Sequence, residues 1–221
     1  MSIKKIYNNI KSLINFIFFP TKCIGCDEVS KEYICNKCKK ELEKNFCPKI
    51  VESYHSELSC ISCFVYQNKV KEIIQNFKFK NHRNASLILS NFLTIAIEKK
   101  FKNQKFDSIT FVPCYFSDEK YNHSEILAKK ISENLGIPLK KHLKKIRENK
   151  KQHRLSFSER QENVKGVYQC VEENLQNKNI LICDDIITTG ATLSECAKEL
   201  EKSGAKVFCS TVAYTILKTL E

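Results

Sequence analysis

Residues 180–192 read ILICDDIITTGAT, and no other segment restricts the fold of this chain so strongly. The first four residues form an unbroken apolar run, which predicts a parallel strand that is buried on both faces. Beyond Thr192, apolar residues recur at helical spacing and Gly204 follows as a stop signal. The segment therefore predicts a strand, a tight turn and a helix, the unit from which α/β folds with parallel sheets are built.

The predicted turn, TTGAT, has the features of an anion site. A strand-to-helix turn directs backbone N–H groups and the positive end of the helix dipole at one point. The threonine hydroxyls add donors, and Gly190 lets the backbone approach a ligand closely. We expect a phosphate group at this turn. Its contacts would come from Thr188, Thr189, Gly190, Ala191 and Thr192.

Asp184 and Asp185 stand at the carboxyl end of the predicted strand, where open α/β sheets bind ligands. Because carboxylates repel phosphate, they must serve another part of the same ligand. The vicinal hydroxyls of a sugar suit them, since each hydroxyl can donate a hydrogen bond to an ionised acid. Phosphate and diol together describe a ribose 5-phosphate. The alternative is a strand that ends in solvated acids before an N-capped helix.

ILICDDIITTGAT resembles the phosphoribosyl pyrophosphate (PRPP) motif of type I phosphoribosyltransferases. Three further segments narrow the resemblance to the ComF family: KVKEIIQNFKFK (69–80), FVPCYF (111–116) and QHRLSFSERQENVKGVY (152–168). The resemblance implies an α/β fold, a parallel sheet flanked by helices, with a small cysteine-rich module ahead of it. It implies that PRPP binds with Mg²⁺ and that ribose 5-phosphate is transferred to an acceptor. It also implies a role in natural transformation, with competence proteins as partners.

One departure from the family pattern affects the expected chemistry. The family carries R-G-F-N-Q after its VPVP strand, and this chain has Glu119 and Lys120 where the arginine and glycine stand. In phosphoribosyltransferases the loop after that strand holds pyrophosphate, so a fork of donors and a flexible backbone position are lost. The departure disfavours turnover more than it disfavours PRPP binding. No residue is assigned a catalytic role, and no motif indicates the acceptor.

Seven of the twelve cysteines lie between residues 23 and 63. Cys23 and Cys26, followed by Cys35 and Cys38, have the spacing of a zinc ribbon. Each C-x-x-C turn presents two thiolates, and four thiolates complete a closed tetrahedral shell around Zn²⁺. Since such a shell has no open position, we expect the ion to support folding rather than chemistry.

Cys47, Cys60 and Cys63 form a second, incomplete set, because Ile50 stands where the family has another cysteine. Three interpretations stay open. The three thiolates could recruit His55 as a fourth ligand. The second ribbon could have decayed and bind no metal. Alternatively, Cys60 and Cys63 could close the first site.

The 221 residues allow one α/β domain of about 150 residues and a small module. We expect an amphipathic helix at 1–20, a zinc-ribbon module at 21–63 and a phosphoribosyltransferase-like domain at 64–221. The apolar stripe of the first segment predicts a helix packed on the body, or else a peripheral contact with a membrane or partner. No transmembrane segment or signal peptide is predicted. A metal-binding cysteine cluster then indicates a reducing compartment, the cytoplasm.

Residues 139–154 carry eight lysines or arginines against one acid, in a chain of formal net charge +12. The basic residues are Lys140, Lys141, Lys144, Lys145, Arg147, Lys150, Lys151 and Arg154. Three interpretations stay open: a loop that closes over PRPP, a patch that binds the phosphates of single-stranded DNA, and a solvated surface. Two functions follow, a phosphoribosyltransferase or an inactive module of that fold that binds single-stranded DNA.

Overall fold

The computed structural model describes residues 21–53, 58–80, 82–115, 121–149 and 157–216. The chain divides into two compact units. The first unit, called the head below, combines Met1–Asn45 with Asn68–Ala85, and the second, called the body, combines Phe46–Gln67 with Ser86–Glu221. This division differs from the expected boundary after residue 63, because 46–63 fold with the body and 68–85 with the head. The expected helix at 1–20 lies outside the described residues.

The body contains a five-stranded sheet. Its strands, in spatial order, are β1 (Lys49–Glu52), β2 (Ser59–Val65), β7 (Lys206–Tyr214), β6 (Asn179–Ile187) and β3 (Ser108–Phe111). β1 pairs with β2 in antiparallel fashion, and the other three pairs are parallel. The expected parallel sheet is therefore present, with one antiparallel strand at its edge.

β6 lies inside this sheet because its sequence suits burial on both faces. Residues 180–183 are fully buried, and β6 pairs with β3 on one side and β7 on the other. The strand runs four residues further than the apolar run that predicted it, so both aspartates belong to it. On the other side of β6, β3 is short and ends at Phe111.

Helices accompany the strands where the periodicity predicts them. The body contains α3 (Ala85–Lys100), α4 (His123–Leu135), α5 (Phe157–Val164) and α6 (Ala191–Lys202), and the head contains α1 (Asn36–Asn45) and α2 (Asn68–Phe79). α4 shows how local sequence sets the bounds. The Asn122 side chain accepts the N–H groups of Ser124 and Glu125, and Gly136 ends the helix at φ 66°.

Part of the basic segment is a strand rather than a loop. β4 (Leu143–Lys145) pairs with β5 (Tyr168–Cys170) in a small antiparallel sheet. Leu143 and Tyr168 are buried in the core beside α6, which fastens this ribbon to the body. The expectation of a loop throughout 139–154 is thus wrong for 143–145, because apolar residues on one face anchor the segment.

The apolar face of α6 forms much of the core. Leu193, Cys196, Ala197 and Leu200 are buried, as their spacing predicts, and they pack with Ile180 and Ile182 of β6. Within the part of the chain that the structure describes, no helix is long and apolar enough to cross a membrane.

Candidate functional site

Two carboxylates occupy the carboxyl end of β6. Asp184 Oδ1 lies 2.6 Å from the Ser124 hydroxyl, which donates to it, and 2.9 Å from the backbone nitrogen of Asp185. The Asp185 side chain is largely buried, with the residue 8% exposed. Ser124 is available because the Asn122 cap starts α4 beside this edge of the sheet. The carboxylate of Asp184 is therefore held in one orientation by two donors. The sequence pattern did not identify Ser124, whose only signal is the N-cap ahead of it.

The turn after β6 supports the expected anion site. Gly190 lies in the left-handed region at φ 84° and ψ −4°, and it supplies no side-chain cap to α6. The Thr189 hydroxyl accepts the N–H of Ala191 at 3.3 Å. A helix whose N-cap glycine has no side chain directs its dipole, and the N–H groups that are not bonded within the chain, toward an external acceptor. The structure thus brings the predicted residues 188–192 together at the end of the strand that carries the acids.

Asn122 and Tyr168 are two further residues to consider beside the aspartates. The Asn122 amide donates to the Val112 carbonyl at 2.9 Å, so the retained asparagine of the family motif joins the two ends of the loop after β3. Glu119 and Lys120, which replace the family's arginine and glycine, lie outside the described residues. Tyr168 is buried against α6, and its burial raises the pKa of the phenol, with Asp184 among the charges that reinforce the effect.

The basic segment is mostly solvent-facing. Its exposed members among the described residues are Lys140, Lys141, Lys144 and Arg147, whereas Lys145 is half-buried. Lys141 Nζ lies 2.7 Å from Glu125 Oε1 and 5.8 Å from the centre of the Phe111 ring. Since Glu125 follows Ser124, this ion pair brings one basic side chain to the helix end beside Asp184. Lys150, Lys151 and Arg154 lie outside the described residues.

The head brings four thiols to one point. The sulfur atoms of Cys23, Cys26, Cys35 and Cys38 all lie within 4.8 Å of one another. Four sulfurs at about 2.3 Å from a tetrahedral Zn²⁺ are roughly 3.8 Å apart, and the Cys26 and Cys35 sulfurs are 3.8 Å apart. The donor set therefore fits zinc in both chemistry and spacing. Among the described residues this is the one cluster of three or more candidate metal ligands.

Hydrogen bonds prepare Cys23 for metal binding. Burial by itself raises the pKa of its thiol, but N–H groups that include those of Cys35 and Gly25 donate to the sulfur and lower the pKa to about 7. α2 holds the same turn from outside. The Lys69 ammonium donates to the Gly25 carbonyl at 3.1 Å, and the buried Asn76 amide donates to the Ile24 carbonyl at 2.8 Å. These contacts explain why α2 folds with the head.

The three cysteines of the second set do not form a cluster of candidate metal ligands. Cys60 and Cys63 are both fully buried in β2, and Cys47 is exposed. The Cys60 sulfur lies 3.6 Å from the Thr211 hydroxyl in the core under α6, a cluster that does not include Cys63. Burial raises the pKa of both thiols, as it does for Cys26 and Cys38 of the four-thiol cluster, so position rather than pKa separates the two sets. His55, the fourth ligand considered from sequence, lies outside the described residues.

A buried Ser–His–Glu arrangement lies elsewhere in the body. The Ser108 hydroxyl oxygen is 2.7 Å from His142 Nε2, and His142 Nδ1 is 2.7 Å from Glu172 Oε1. These distances match those of a catalytic triad. Ser108 and His142 are only 3% and 1% exposed, however, so a substrate cannot reach the hydroxyl. We assign the arrangement a structural role: it ties the ribbon of β4 and β5 to the start of β3.

Comparison with known proteins gives matches to both parts of the chain. A phosphoribosyl transferase domain matches residues 122–219, and a double zinc ribbon domain matches residues 14–64. Competence protein F of Haemophilus influenzae is 26% identical over 218 residues, which cover 86% of this chain and 94% of that protein. The DNA utilization protein YhgH of Escherichia coli is 26% identical over 202 residues, covering 80% and 88%. The adenine phosphoribosyltransferase structure from Saccharomyces cerevisiae is 14% identical, with a TM-score of 0.41, and covers 82% of this chain and 90% of its own.

Proposed function

Because this chain is a ComF-like protein with a type I phosphoribosyltransferase fold and an N-terminal zinc ribbon, we propose that residues 184–192 bind the ribose 5-phosphate part of PRPP. The observation that carries the proposal is the single unit of β6, left-handed Gly190 and α6, with two carboxylates on the strand and an uncapped helix start behind them. Asp184 and Asp185 accept the ribose hydroxyls, and the turn at 188–192 donates to the 5′-phosphate.

PRPP would bring Mg²⁺ to this site, where Asp184 and Asp185 could contact it. Carboxylate oxygens such as those of Asp184 are hard ligands of the kind this ion prefers, so the residues present fit it. The ion supplies neutralisation of the charge on the pyrophosphate oxygens when it is bound. The protein's own part is to position the sugar, because the orientation of Asp184 is set in advance by Ser124 and by the Asp185 amide.

The reaction that follows from this site is transfer of ribose 5-phosphate from PRPP to an acceptor, with release of pyrophosphate. Such a transfer depends on positioning more than on covalent help. Of the two activities, PRPP binding is the primary proposal and turnover the secondary one, since Glu119 and Lys120 replace the arginine and glycine of the family's pyrophosphate loop. The acceptor is not indicated by any described residue.

The zinc ligands are proposed to be Cys23, Cys26, Cys35 and Cys38. Four thiolates leave no open position for a substrate, so the ion's contribution is to hold the head folded.

A second candidate function is binding of single-stranded DNA without turnover, during DNA uptake in natural transformation. Two observations favour it. The relatives are named as a competence protein and a DNA utilization protein. The basic segment also presents exposed cationic side chains at Lys140, Lys144 and Arg147, which suit a phosphate backbone. Competence proteins are the corresponding partners.

Calorimetry with PRPP and Mg²⁺ tests the main proposal. The double variant Asp184→Asn, Asp185→Asn weakens charge-assisted hydrogen bonds worth about 1.5–3 kcal/mol, so affinity should fall roughly ten- to a hundredfold. Asp107→Asn is the matched control, because Asp107 accepts the N–H of Asn179 at the opposite end of β6. It should leave the affinity within about twofold of wild type.

Unchanged PRPP affinity in the double variant would rule out the site. If the wild-type protein binds PRPP, a pyrophosphate-release assay with nucleobases and amines as acceptors then separates a transferase from a binding module. Release that requires one acceptor supports the transferase. Binding without release indicates a PRPP-binding module without transferase activity, and DNA binding then needs its own test.

A further inference from the structure

Ser53 contacts the proposed phosphate turn from a segment that the sequence assigned to the zinc-ribbon module. It follows β1 directly, and its backbone N–H donates to the Leu58 carbonyl at 3.0 Å, which ties it to the approach of β2. The residue is only 9% exposed. Its position in the body is therefore set by the antiparallel pair of β1 and β2.

Ser53 packs directly on Gly190. A side-chain carbon at Gly190 would lie 2.3 Å from the Ser53 hydroxyl oxygen and 3.1 Å from its α-carbon. Any residue other than glycine would displace one of the two segments, quite apart from the strain of its left-handed backbone at φ 84°. Gly190 is therefore needed for the intramolecular contact with Ser53, and it also lets a ligand approach the backbone closely.

The Ser53 hydroxyl bridges the two sides of the turn. It donates to the Thr189 carbonyl at 3.4 Å, and it lies 2.9 Å from the Ser194 hydroxyl oxygen. A serine hydroxyl donates only once. With Ser53 donating to Thr189, the bond to Ser194 requires the Ser194 hydroxyl to be the donor. Hydrogen bonds thus connect Ser194, in the first turn of α6, to Ser53, and Ser53 to the carbonyl of the peptide that precedes Gly190.

This bond sets the direction of one N–H group. The peptide that joins Thr189 to Gly190 is trans, as are all peptide bonds of the described segments, so its N–H points opposite to its carbonyl. Because Ser53 holds the carbonyl on its own side, the Gly190 N–H faces away from Ser53. We propose that Ser53 is a positioning residue that aims the Gly190 N–H at the 5′-phosphate, an inference that rests on the proposed function.

Ser53→Ala tests the inference by calorimetry with ribose 5-phosphate and with PRPP. Loss of one neutral hydrogen bond that orients a donor should weaken both ligands by the same factor, about five- to tenfold. Ser194→Ala is the matched control, because it removes the bond between the two serine hydroxyls and leaves the bond of Ser53 to Thr189. It should change either affinity by less than about twofold. Thermal unfolding of both variants shows whether a loss of affinity comes from the missing hydrogen bond or from a destabilised fold.

Nuclear magnetic resonance of the wild-type protein, without ligand and with ribose 5-phosphate, provides a second measurement. The Gly190 amide resonance should shift when ribose 5-phosphate is added, and Ser53→Ala should alter its position before any ligand is present. The role of Ser53 would be overturned if both serine variants lost affinity and stability equally, or if the Gly190 amide resonance did not shift when the ligand was added. Neither result would contradict the phosphate site itself. Wild-type protein that binds neither ligand would overturn both proposals together.

Discussion

At the scale of single residues, the carboxylate at the ligand edge and the buried histidine have opposite tasks. The Asp184 carboxylate lies at the carboxyl end of β6 and is oriented by the Ser124 hydroxyl. His142 is sealed between Ser108 and Glu172, and its burial lowers the pKa of the ring, although Glu172 opposes that shift. Asp184 belongs to the proposed ligand site, whereas His142 joins segments of the body, and its burial disfavours the protonated ring.

The buried histidine makes stability depend on pH. Because the pKa of His142 is lower in the folded than in the unfolded chain, its contribution to stability is complete above about pH 6.5 and is lost as pH falls further. The ring faces Ser108, Glu172 and Lys140, and only Glu172 favours its protonation. Denaturant unfolding at pH 7.5 and 5.5 should show a smaller loss of stability in His142→Gln than in wild type.

His82→Gln is the control for this prediction, since His82 lies 3.3 Å from Asp27 in the head and is partly exposed. It should retain the wild-type pH dependence of the body. If His142→Gln loses as much stability on acidification as wild type does, another group causes the acid sensitivity.

At the scale of elements, the basic segment combines an anchor with a charged surface. Leu143 of β4 is buried, whereas Lys144 beside it is exposed, as the alternation of a strand requires. Lys141 is engaged by Glu125, so its charge is partly neutralised before any ligand arrives. The strand therefore presents Lys144 to solvent and leaves Lys145 half-buried on the face of Leu143. No aromatic residue is interleaved with the basic residues in the sequence.

Exchange of four lysines of this segment for glutamate tests DNA binding. Contacts to phosphates alone give weak, sequence-independent affinity that falls steeply as salt rises. The exchange should abolish most retention of single-stranded DNA, as measured by anisotropy at two salt concentrations. The four positions are Lys140, Lys141, Lys144 and Lys145.

The control carries the same charge change at exposed lysines elsewhere in the body. These are Lys99, Lys100, Lys102 and Lys105. It should retain clearly more DNA than the first variant. Equal loss in both variants indicates attraction to net charge alone. Loss of PRPP affinity without loss of DNA retention indicates that the basic segment serves PRPP binding.

At the scale of the whole molecule, the chain consists of two units with different sources of stability. The body has a continuous apolar core around β6, β7 and α6. The head gathers its four thiols around one point and adds a buried amide contact from Asn76. A small unit of this kind depends on its metal for much of its folding free energy.

Metal analysis tests that dependence. The purified chain should contain one equivalent of zinc, and Cys35→Ser should lower it because three thiolates remain of the four. Chelation should lower the melting temperature of the head, which circular dichroism can follow through its two helices. Cys47→Ser is the matched control and should retain the full equivalent, since Cys47 is exposed and lies outside the cluster. A second equivalent that disappears in this variant would show that the incomplete set binds metal.

Features encoded within short stretches of sequence were predictable. The strand, turn and helix at 179–202 follow from an apolar run, a glycine and a helical period, all of which act over a few residues. The four-thiol cluster follows for the same reason, because its ligands lie within residues 23–38. In both cases neighbouring residues determine the geometry, and the rest of the chain has only to provide packing.

Contacts between distant segments were decided by the tertiary structure alone. Ser124 meets Asp184 across 60 residues, and Ser53 meets Thr189 across 136, and neither pair has a local pattern to reveal it. The same holds for Cys60 and Cys63, whose C-x-x-C spacing left a metal site open and which lie in β2, beside the body's central strand β7. Spacing can place two thiols near each other, but only the fold decides whether they face one point, since residues three apart on a strand lie on opposite faces of the sheet.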